Sequence, residues 1–388
     1  MYEYLIIGAG VIGLSIAREL KKQKPNSKIL IIEKEKDVGY HSSGRNSGVL
    51  HAGFYYTSSS LKAKFTKEGN EALTKYCEEN GLKINKAQKI VVAKDESELE
   101  TLKELYQRGI KNKVEVELID EEELKKRFKN IKTYKLALYS PTTSTVDPKE
   151  ILLHLKEELL RDGIEIRFNT PYSFIMKNQA KMVINCAGLY ADKIAKSFGF
   201  SKDYKILPFK GIYLKYTKPD HFINTNIYPV PNLKNPFLGV HYTITVDHEI
   251  KIGPTAIPAF WRENYQGFDN FKLNEFLDII VSEAKLFFKN SFGFRDLAFE
   301  EMKKYNKDYF ISLAESMVES LDRSGFKEWS KPGIRAQLLN TKTDELLQDF
   351  VVEGDEKSVH VLNAVSPAFT SSFPFAKWVI ENYILRKS

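Results

Sequence analysis

Apolar and polar positions along the chain switch between two periods, and the switches mark out its elements. Leu5, Ile6 and Ile7 form an unbroken apolar run that ends in Gly8-Ala-Gly10-Val-Ile-Gly13. Leu14, Ile16, Ala17 and Leu20 then recur at helical spacing. Run, glycine turn and helical period predict strand, tight turn and helix. A second apolar run, Lys28-Ile-Leu-Ile-Ile-Glu33, completes a βαβ unit. Further helices are predicted at 60–80, 96–108, 121–128, 148–161 and 190–198, and strands at 89–93, 114–119, 164–168 and 182–188. Asp147 before Pro148 supplies an N-cap and a first-turn proline. Between 205 and 256, strand-like runs alternate with Pro, Asn and Gly breaks, the mark of an antiparallel sheet. Helices at 273–288 and 308–321 follow, with Phe276, Phe287 and Phe288 read as core. A strand at 350–353 and the run Val359-His-Val-Leu-Asn-Ala364 lead to a last helix at 366–384, which Pro374 kinks or restarts.

The nucleotide-binding pattern starts, stops and returns, so the fold class read from the sequence is α/β with two domains. A Rossmann-like dinucleotide domain takes 1–85, 143–204 and 331–388; an antiparallel-sheet substrate domain, 86–142 and 205–330, is interwoven with it. Gly8 allows the turn, and Gly10 lets backbone N–H groups at the helix start, with Val11 and Ile12, approach a pyrophosphate. Gly13 lets helix and strand pack closely. Glu33, twenty positions after Gly13, is placed to accept hydrogen bonds from a ribose diol, with Lys34 beside it. The loop after it, rich in Gly and Ser, carries His41, Ser42, Ser43, Arg45, Asn46, Ser47 and Gly48 along the bound dinucleotide, where small residues permit close approach.

Composition narrows the classes further. A chain of 388 residues has room for two cores, and no apolar run is long enough to span a bilayer. The first strand begins at Tyr2, so no targeting segment is expected before it. Cys77 and Cys186 are the only cysteines and lack metal-type spacing; no metal site and a reducing, cytoplasmic setting are expected. The formal charge of +7 comes from lysines spread through the chain. It favours a small anionic substrate or peripheral contact at the inner face of a membrane, and no nucleic-acid-binding motif accompanies it.

Five segments carry a family resemblance: the GxGxxG unit ending at Glu33, His41-x-x-Gly44-x-Asn46-Ser47-Gly48-Val49-x-His51-Ala52-Gly53, Ile184-Asn-x-Ala-Gly188, Gly333-Ile-Arg-Ala-Gln337, and Leu362-Asn-Ala-x-Ser-Pro-Ala368. Together they resemble the FAD-dependent D-amino-acid-oxidase-like oxidoreductases, within these the L-2-hydroxyglutarate dehydrogenase/oxidase group. Two features depart from the pattern. The stretch between Phe168 and Met182 is short for the usual β-meander, and Lys210 stands where that group leads one to expect arginine.

The resemblance implies FAD and the oxidation of a 2-hydroxy acid, L-2-hydroxyglutarate, to the 2-oxo acid by hydride transfer to flavin N5. A base must take the hydroxyl proton. Histidine suits this because its ordinary pKa of about 6.5 leaves it largely neutral. His51 is the first candidate and His241, in Gly239-Val-His-Tyr242, the second; a hydrogen-bonded structural histidine is the competing reading of both. Arg335 offers a planar two-point partner for a carboxylate and contacts cofactor as well, against a structural acid as its partner. Lys210 and Tyr242 are candidates for the far end of the substrate, and Tyr56 for the pocket wall, with a surface or packing role as its alternative. Ala187 and Gly188, and the backbone of Ser366, Pro367, Ala368, Phe369 and Thr370 at the last helix start, are candidates for the flavin, with a plain N-cap role for Ser366 as the alternative. An amine oxidase of the glycine- or sarcosine-oxidase kind is the second function reading. A flavoprotein subunit of an RNA-modifying or electron-transfer assembly is the third. The electron acceptor stays open among oxygen, quinone and protein.

Overall fold

The computed structural model describes residues 1–233 and 237–385. The strand Tyr2–Ile7 sits inside a six-stranded sheet in the order 351–354, 358–363, 180–185, 2–7, 29–32, 165–167. It runs parallel to both neighbours, Ala180–Asn185 and Ile29–Ile32. A parallel sheet covered on both faces needs strands apolar on both, and all four residues of Ile29–Ile32 are buried. On one face Ile6 and Ile31 meet the helices Val11–Gln23, Pro148–Arg161 and Ser372–Val379 through Leu14, Leu155 and Phe375. On the other, Leu5, Ile7 and Leu30 pack with Ile194 and Phe198.

A second sheet has eight strands in the order 326–329, 214–216, 250–253, 241–244, 226–229, 89–92, 136–140, 117–120. Its neighbours are antiparallel except Asn226–Pro229, which runs parallel to Lys89–Val92. A four-stranded sheet stands between the two large ones. In it Tyr204–Gly211 pairs along its whole length with Gly333–Asn340. The segment 333–340, read from the sequence with the nucleotide unit, is thus hydrogen-bonded to a strand read almost wholly with the substrate unit.

Several elements differ from the sequence expectation for identifiable reasons. Between Arg167 and Ala180 the described chain makes one 3-10 turn, Phe174–Gln179, and no strand. The strand Leu136–Ser140 was not predicted, although it pairs on both sides. The helix Phe294–Lys303 escaped because Phe299 and Met302 face outward and Glu301 inward, which blurs the apolar stripe of Phe294 and Leu297. The helix Lys307–Glu315 ends before its predicted boundary, and Val318 bridges to Ile131 instead. Phe288 is 82% exposed, not core, while Phe276 and Phe287 are half-buried. The last helix starts at Ser372, so Ser366 is not its N-cap; Pro374 lies in the first turn, where its missing N–H leaves no intrahelical bond unmade.

One buried ion pair ties the layers together. Arg262, 1% exposed, sends Nη1 to Asp192 Oδ1 at 2.6 Å and Nη2 to Asp192 Oδ2 at 2.9 Å. Asp192 also accepts the Ile206 N–H at 3.1 Å. Removing one partner of such a pair strands the other charge at a cost of about 3–5 kcal/mol. Asp192→Asn is therefore expected to lose about that much stability in urea unfolding; a loss below about 1 kcal/mol would show the pair to be dispensable.

Candidate active site

The glycine turn leaves no room for side chains. Gly8 adopts φ +100°, and a Cβ there would lie 2.7 Å from the Cys186 carbonyl oxygen. A Cβ on Gly13 would lie 2.0 Å from the Gly8 carbonyl oxygen. Glycine is thus required for the turn and for the helix to sit on the strand. The helix Val11–Gln23 has no acidic residue in its first turn, and the Val11 N–H donates to Ser43 Oγ at 3.0 Å. Gly10, Val11 and Ile12 open onto a cavity of about 700 Å³ that reaches from this turn to His51 and His241.

Most of the expected residues face that cavity. Ser42, Ser43, Arg45, Asn46 and Ser47 line it from the loop after the second strand, and Gly188 from the strand end beside the glycine turn. Ser366, Pro367, Ala368, Phe369 and Thr370 form a further wall, not as a helix start but as the turn before one. Tyr56, His51, His241 and Arg335 complete the lining on the substrate side.

Others lie behind it. Glu33 accepts the Ala9 N–H at 2.9 Å and the Glu35 N–H at 3.0 Å, so its carboxylate braces the glycine turn. Lys34 pairs with Glu263 at 2.7 Å and also with Glu35. His41 contacts Tyr265 Oη at 2.7 Å and Glu35 Oε1 at 2.9 Å. Gly48, at φ +76°, lies where a Cβ would meet the Val146 carbonyl oxygen at 2.2 Å. The Ala187 N–H is held by Asn185 Oδ1 at 3.2 Å.

Two substrate-side expectations are corrected. Tyr242 is fully buried in the core of the eight-stranded sheet against Phe222, because strand alternation turns it away from the face where His241 points. Lys210 is outside the cavity lining, with Nζ 3.4 Å from Asn264 Oδ1.

The electrostatics of the cavity were not legible in the sequence. Lys89 is fully buried, with Nζ 3.5 Å from His51 Nδ1 and 4.1 Å from the Tyr228 ring centroid. Lys62 Nζ donates to the Ser366 carbonyl at 2.9 Å, and Lys251 Nζ to the Ser47 carbonyl at 3.3 Å. Arg335 Nη1 donates to the Thr255 carbonyl at 3.3 Å. Among the described residues none of these four cations has a carboxylate salt bridge. Burial pushes Lys89 down to about 7, and Lys62 and Lys251 down to about 8, with Asp349 opposing the shift at Lys62. Burial also lowers Arg335.

His51 is pushed well below its ordinary range by burial first, then by Lys89, His241 and Lys62. His241 falls to about 3 for the same leading reason, although its Nδ1–H donates to the Gly239 carbonyl at 2.8 Å. It stacks on Tyr228 with centroids 3.7 Å apart. Both imidazoles are therefore neutral near physiological pH. Lys89 opens an apolar strand and reads as its solvent end. Lys251 alternates with buried Ile250 and Ile252, so its face reads as solvent too; no pattern marks either as buried.

The lining fits a dinucleotide joined to a small anion. A side-chain-free turn, a helix N-terminus without acids, and Lys62 and Arg335 without carboxylate salt bridges all call for negative charge.

The chain belongs to the FAD-dependent oxidoreductases: the model of that family matches residues 3–382. It is 33% identical to an L-2-hydroxyglutarate dehydrogenase of Escherichia coli, over 98% of this chain and 92% of that protein. It is likewise 33% identical to the mitochondrial L-2-hydroxyglutarate dehydrogenase of Homo sapiens, over 98% of this chain and 88% of that one. Among solved structures, the reduced, FAD-bound L-alpha-glycerophosphate oxidase of Mycoplasma pneumoniae superposes with a TM-score of 0.76 at 22% identity, covering 100% of this chain and 96% of that one. That last likeness speaks to the fold. The cofactor of this oxidoreductase is FAD.

Proposed function

Given that family, we propose that this chain oxidises L-2-hydroxyglutarate to the 2-oxo acid, with His51 as the base and Arg335 as the carboxylate partner. The cation-lined cavity carries this reading, supported by the names of the relatives that match nearly end to end. Gly10, Val11, Ile12, Ser43 and the loop to Ser47 would hold the dinucleotide, and the turn 366–370 its ring end. Bound FAD supplies the two-electron acceptor that no side chain provides.

The chain's own residues do the rest. Arg335, between Phe237 and Tyr213, presents a guanidinium that among the described residues donates to one carbonyl, that of Thr255, which leaves its other N–H groups for a carboxylate in two-point fashion. Lys62 and Lys251 add positive charge around the same volume. His51 is neutral and takes the hydroxyl proton at Nε2, the ring nitrogen not facing Lys89. An arriving carboxylate raises the proton affinity of His51 by offsetting the cations that depress it. Walls of Tyr55, Tyr228 and Phe237 exclude water around the reacting carbon.

One observation favours His241 as the alternative base: its bond to Gly239 already fixes the proton on Nδ1 and leaves Nε2 as an acceptor. The two candidates separate cleanly by substitution. His51→Ala is expected to keep FAD bound and to lower kcat about 10²–10⁴-fold. Wild-type turnover in His51→Ala, with that loss in His241→Ala instead, would transfer the role. Arg335→Ala is expected to lower kcat/KM about 100-fold or more through weaker anion binding, read by steady-state kinetics; unchanged kinetics would remove the clamp.

Peripheral membrane contact has its own support. No described helix is long and apolar enough to cross a membrane. Yet on Leu273–Lys289 the acids Glu275 and Glu283 point inward while Leu273, Leu277, Val281 and Phe288 are exposed. On Phe294–Lys303, Glu301 is buried and Phe299 and Met302 are exposed. Lys272, Lys289 and Lys303 border this apolar face, the distribution of an interfacial helix pair. The holoprotein is expected to float with vesicles containing anionic lipid, and Leu277→Asp with Val281→Asp to release it; absence of wild-type flotation would remove the contact.

A further inference from the structure

Lys89 is a buried cation that the proposed reaction does not use. It is among the largest fully buried side chains, has no carboxylate partner among the described residues and does not itself line the cavity. Its ammonium end is enclosed by the rings of Tyr228, Tyr55 and Phe54, at 4.1, 5.2 and 5.7 Å from the centroids. Among the described residues, the polar side-chain atom it reaches is His51 Nδ1, at 3.5 Å. The main chain of His51 is anchored beside it. Its backbone N–H donates to Thr370 Oγ1 at 3.2 Å and its carbonyl accepts from Asn70 Nδ2 at 3.3 Å, fixing both ends of the residue.

This contact has a consequence for the imidazole. A neutral imidazole carries one N–H, and the partner of one ring nitrogen decides what the other offers. An ammonium beside Nδ1 can only donate, which forces the proton onto Nε2 and turns the cavity side into a donor. A neutral amine can accept Nδ1–H, which leaves Nε2 with its lone pair. We propose that Lys89 is a positioning residue for His51, accepting Nδ1–H as a neutral amine so that Nε2 faces the cavity as a base, and reversing that tautomer when it becomes an ammonium. The proposal rests on the reading of His51 as base and supplies the condition under which it works.

The proton count closes. The substrate O–H bond breaks, an Nε2–H bond forms, and the proton leaving Nδ1 ends on Lys89, so the pair gains one proton and one positive charge. That charge appears where the product is still an anion. The surroundings keep the amine form within reach: burial brings Lys89 to about 7. The other titratable groups acting on His51 are His241 from the strand His241–Ile244 and Lys62 from the helix Leu61–Glu79, and no carboxylate is among them. Asp349, the acid nearest Lys62, is engaged by the N–H groups of Leu61 and Lys62 at 2.8 and 3.0 Å. Lys89 and His51 therefore titrate as a coupled pair.

The test uses the FAD-loaded protein with nitrogen-labelled histidine, the His51 signals being assigned by their loss in His51→Gln. Long-range proton–nitrogen spectra are expected to show Nδ1–H on the alkaline side and Nε2–H on the acid side of a transition near the Lys89 value of about 7. In Lys89→Met the transition vanishes, because His51 stays neutral throughout the range. In Lys89→Arg the permanent guanidinium holds Nε2–H at every pH. Kinetics should follow. Wild-type kcat rises through the same transition while KM changes little. Lys89→Met loses that limb and runs about tenfold below the alkaline plateau, and Lys89→Arg stays about 100-fold down at all pH. A merely structural lysine would make arginine the milder change and leave the limb in place. Nε2–H in the alkaline wild type, or a transition that survives in Lys89→Met, overturns the proposal. The spectra read the pair whether or not a hydroxy acid is turned over, so failure to oxidise 2-hydroxyglutarate counts against the function reading alone.

Discussion

Positive charge held away from water without its counter-charge is the condition the rest of this structure depends on. Lys62, Lys89, Lys251 and Arg335 come from a helix and three different strands; Lys62 and Arg335 line the cavity, Lys89 and Lys251 stand behind it against His51 and the Ser47 carbonyl, and none has a carboxylate salt bridge among the described residues. Leaving even one buried charge unpaired costs about 3–5 kcal/mol where it has been measured. The protein tolerates the arrangement in two ways. Backbone carbonyls of Ser366, Ser47 and Thr255 accept from three of the four, and burial shifts the lysines toward their neutral form. The same molecule pairs other deep cations with acids: Arg262 has Asp192 on both oxygens, and Lys304 has Glu301. The contrast separates those cations from the four around the cavity.

Architecture explains how the charges converge. The parallel sheet needs helices on both faces, and its glycine turn aims a helix N-terminus at the cavity. The eight-stranded sheet contributes Lys89, Tyr228 and His241 from three neighbouring strands. The small sheet carries Arg335 on a strand paired over eight residues with Tyr204–Gly211, so its guanidinium is presented from a rigid element and not from a loop. The cavity lies where the glycine turn, the eight-stranded sheet and this strand meet.

Much of this was legible in the chain, and the losses share a cause. The βαβ unit, the glycine turn and the Asp147–Pro148 helix start are local, because their geometry is dictated by residues within one turn of each other. His51 and Arg335 were singled out because they lie in segments that carry the family resemblance, and His241 because it sits on a strand of the antiparallel sheet; all three line the cavity. Tyr242 was misplaced by one residue of strand register: the alternation that puts His241 in the cavity puts its neighbour in the core. Lys89 and Lys251 were missed because alternation reports two faces and cannot say that the polar one is a closed cavity instead of solvent. Phe288 was read as core for the mirror-image reason, since a helix shows which face is apolar and not what covers it.

The cavity's unsatisfied charge can be measured through protons. Lysines brought down to about 8 by burial are part-neutral near that pH, and an arriving carboxylate favours their charged form. Titration calorimetry of the FAD-loaded protein with L-2-hydroxyglutarate under anaerobic conditions near pH 8, in buffers of different ionisation enthalpy, should therefore record net proton uptake on binding, with affinity falling as pH rises further. Binding with no proton uptake, or equal affinity for the uncharged diamide of the same acid, would contradict the account.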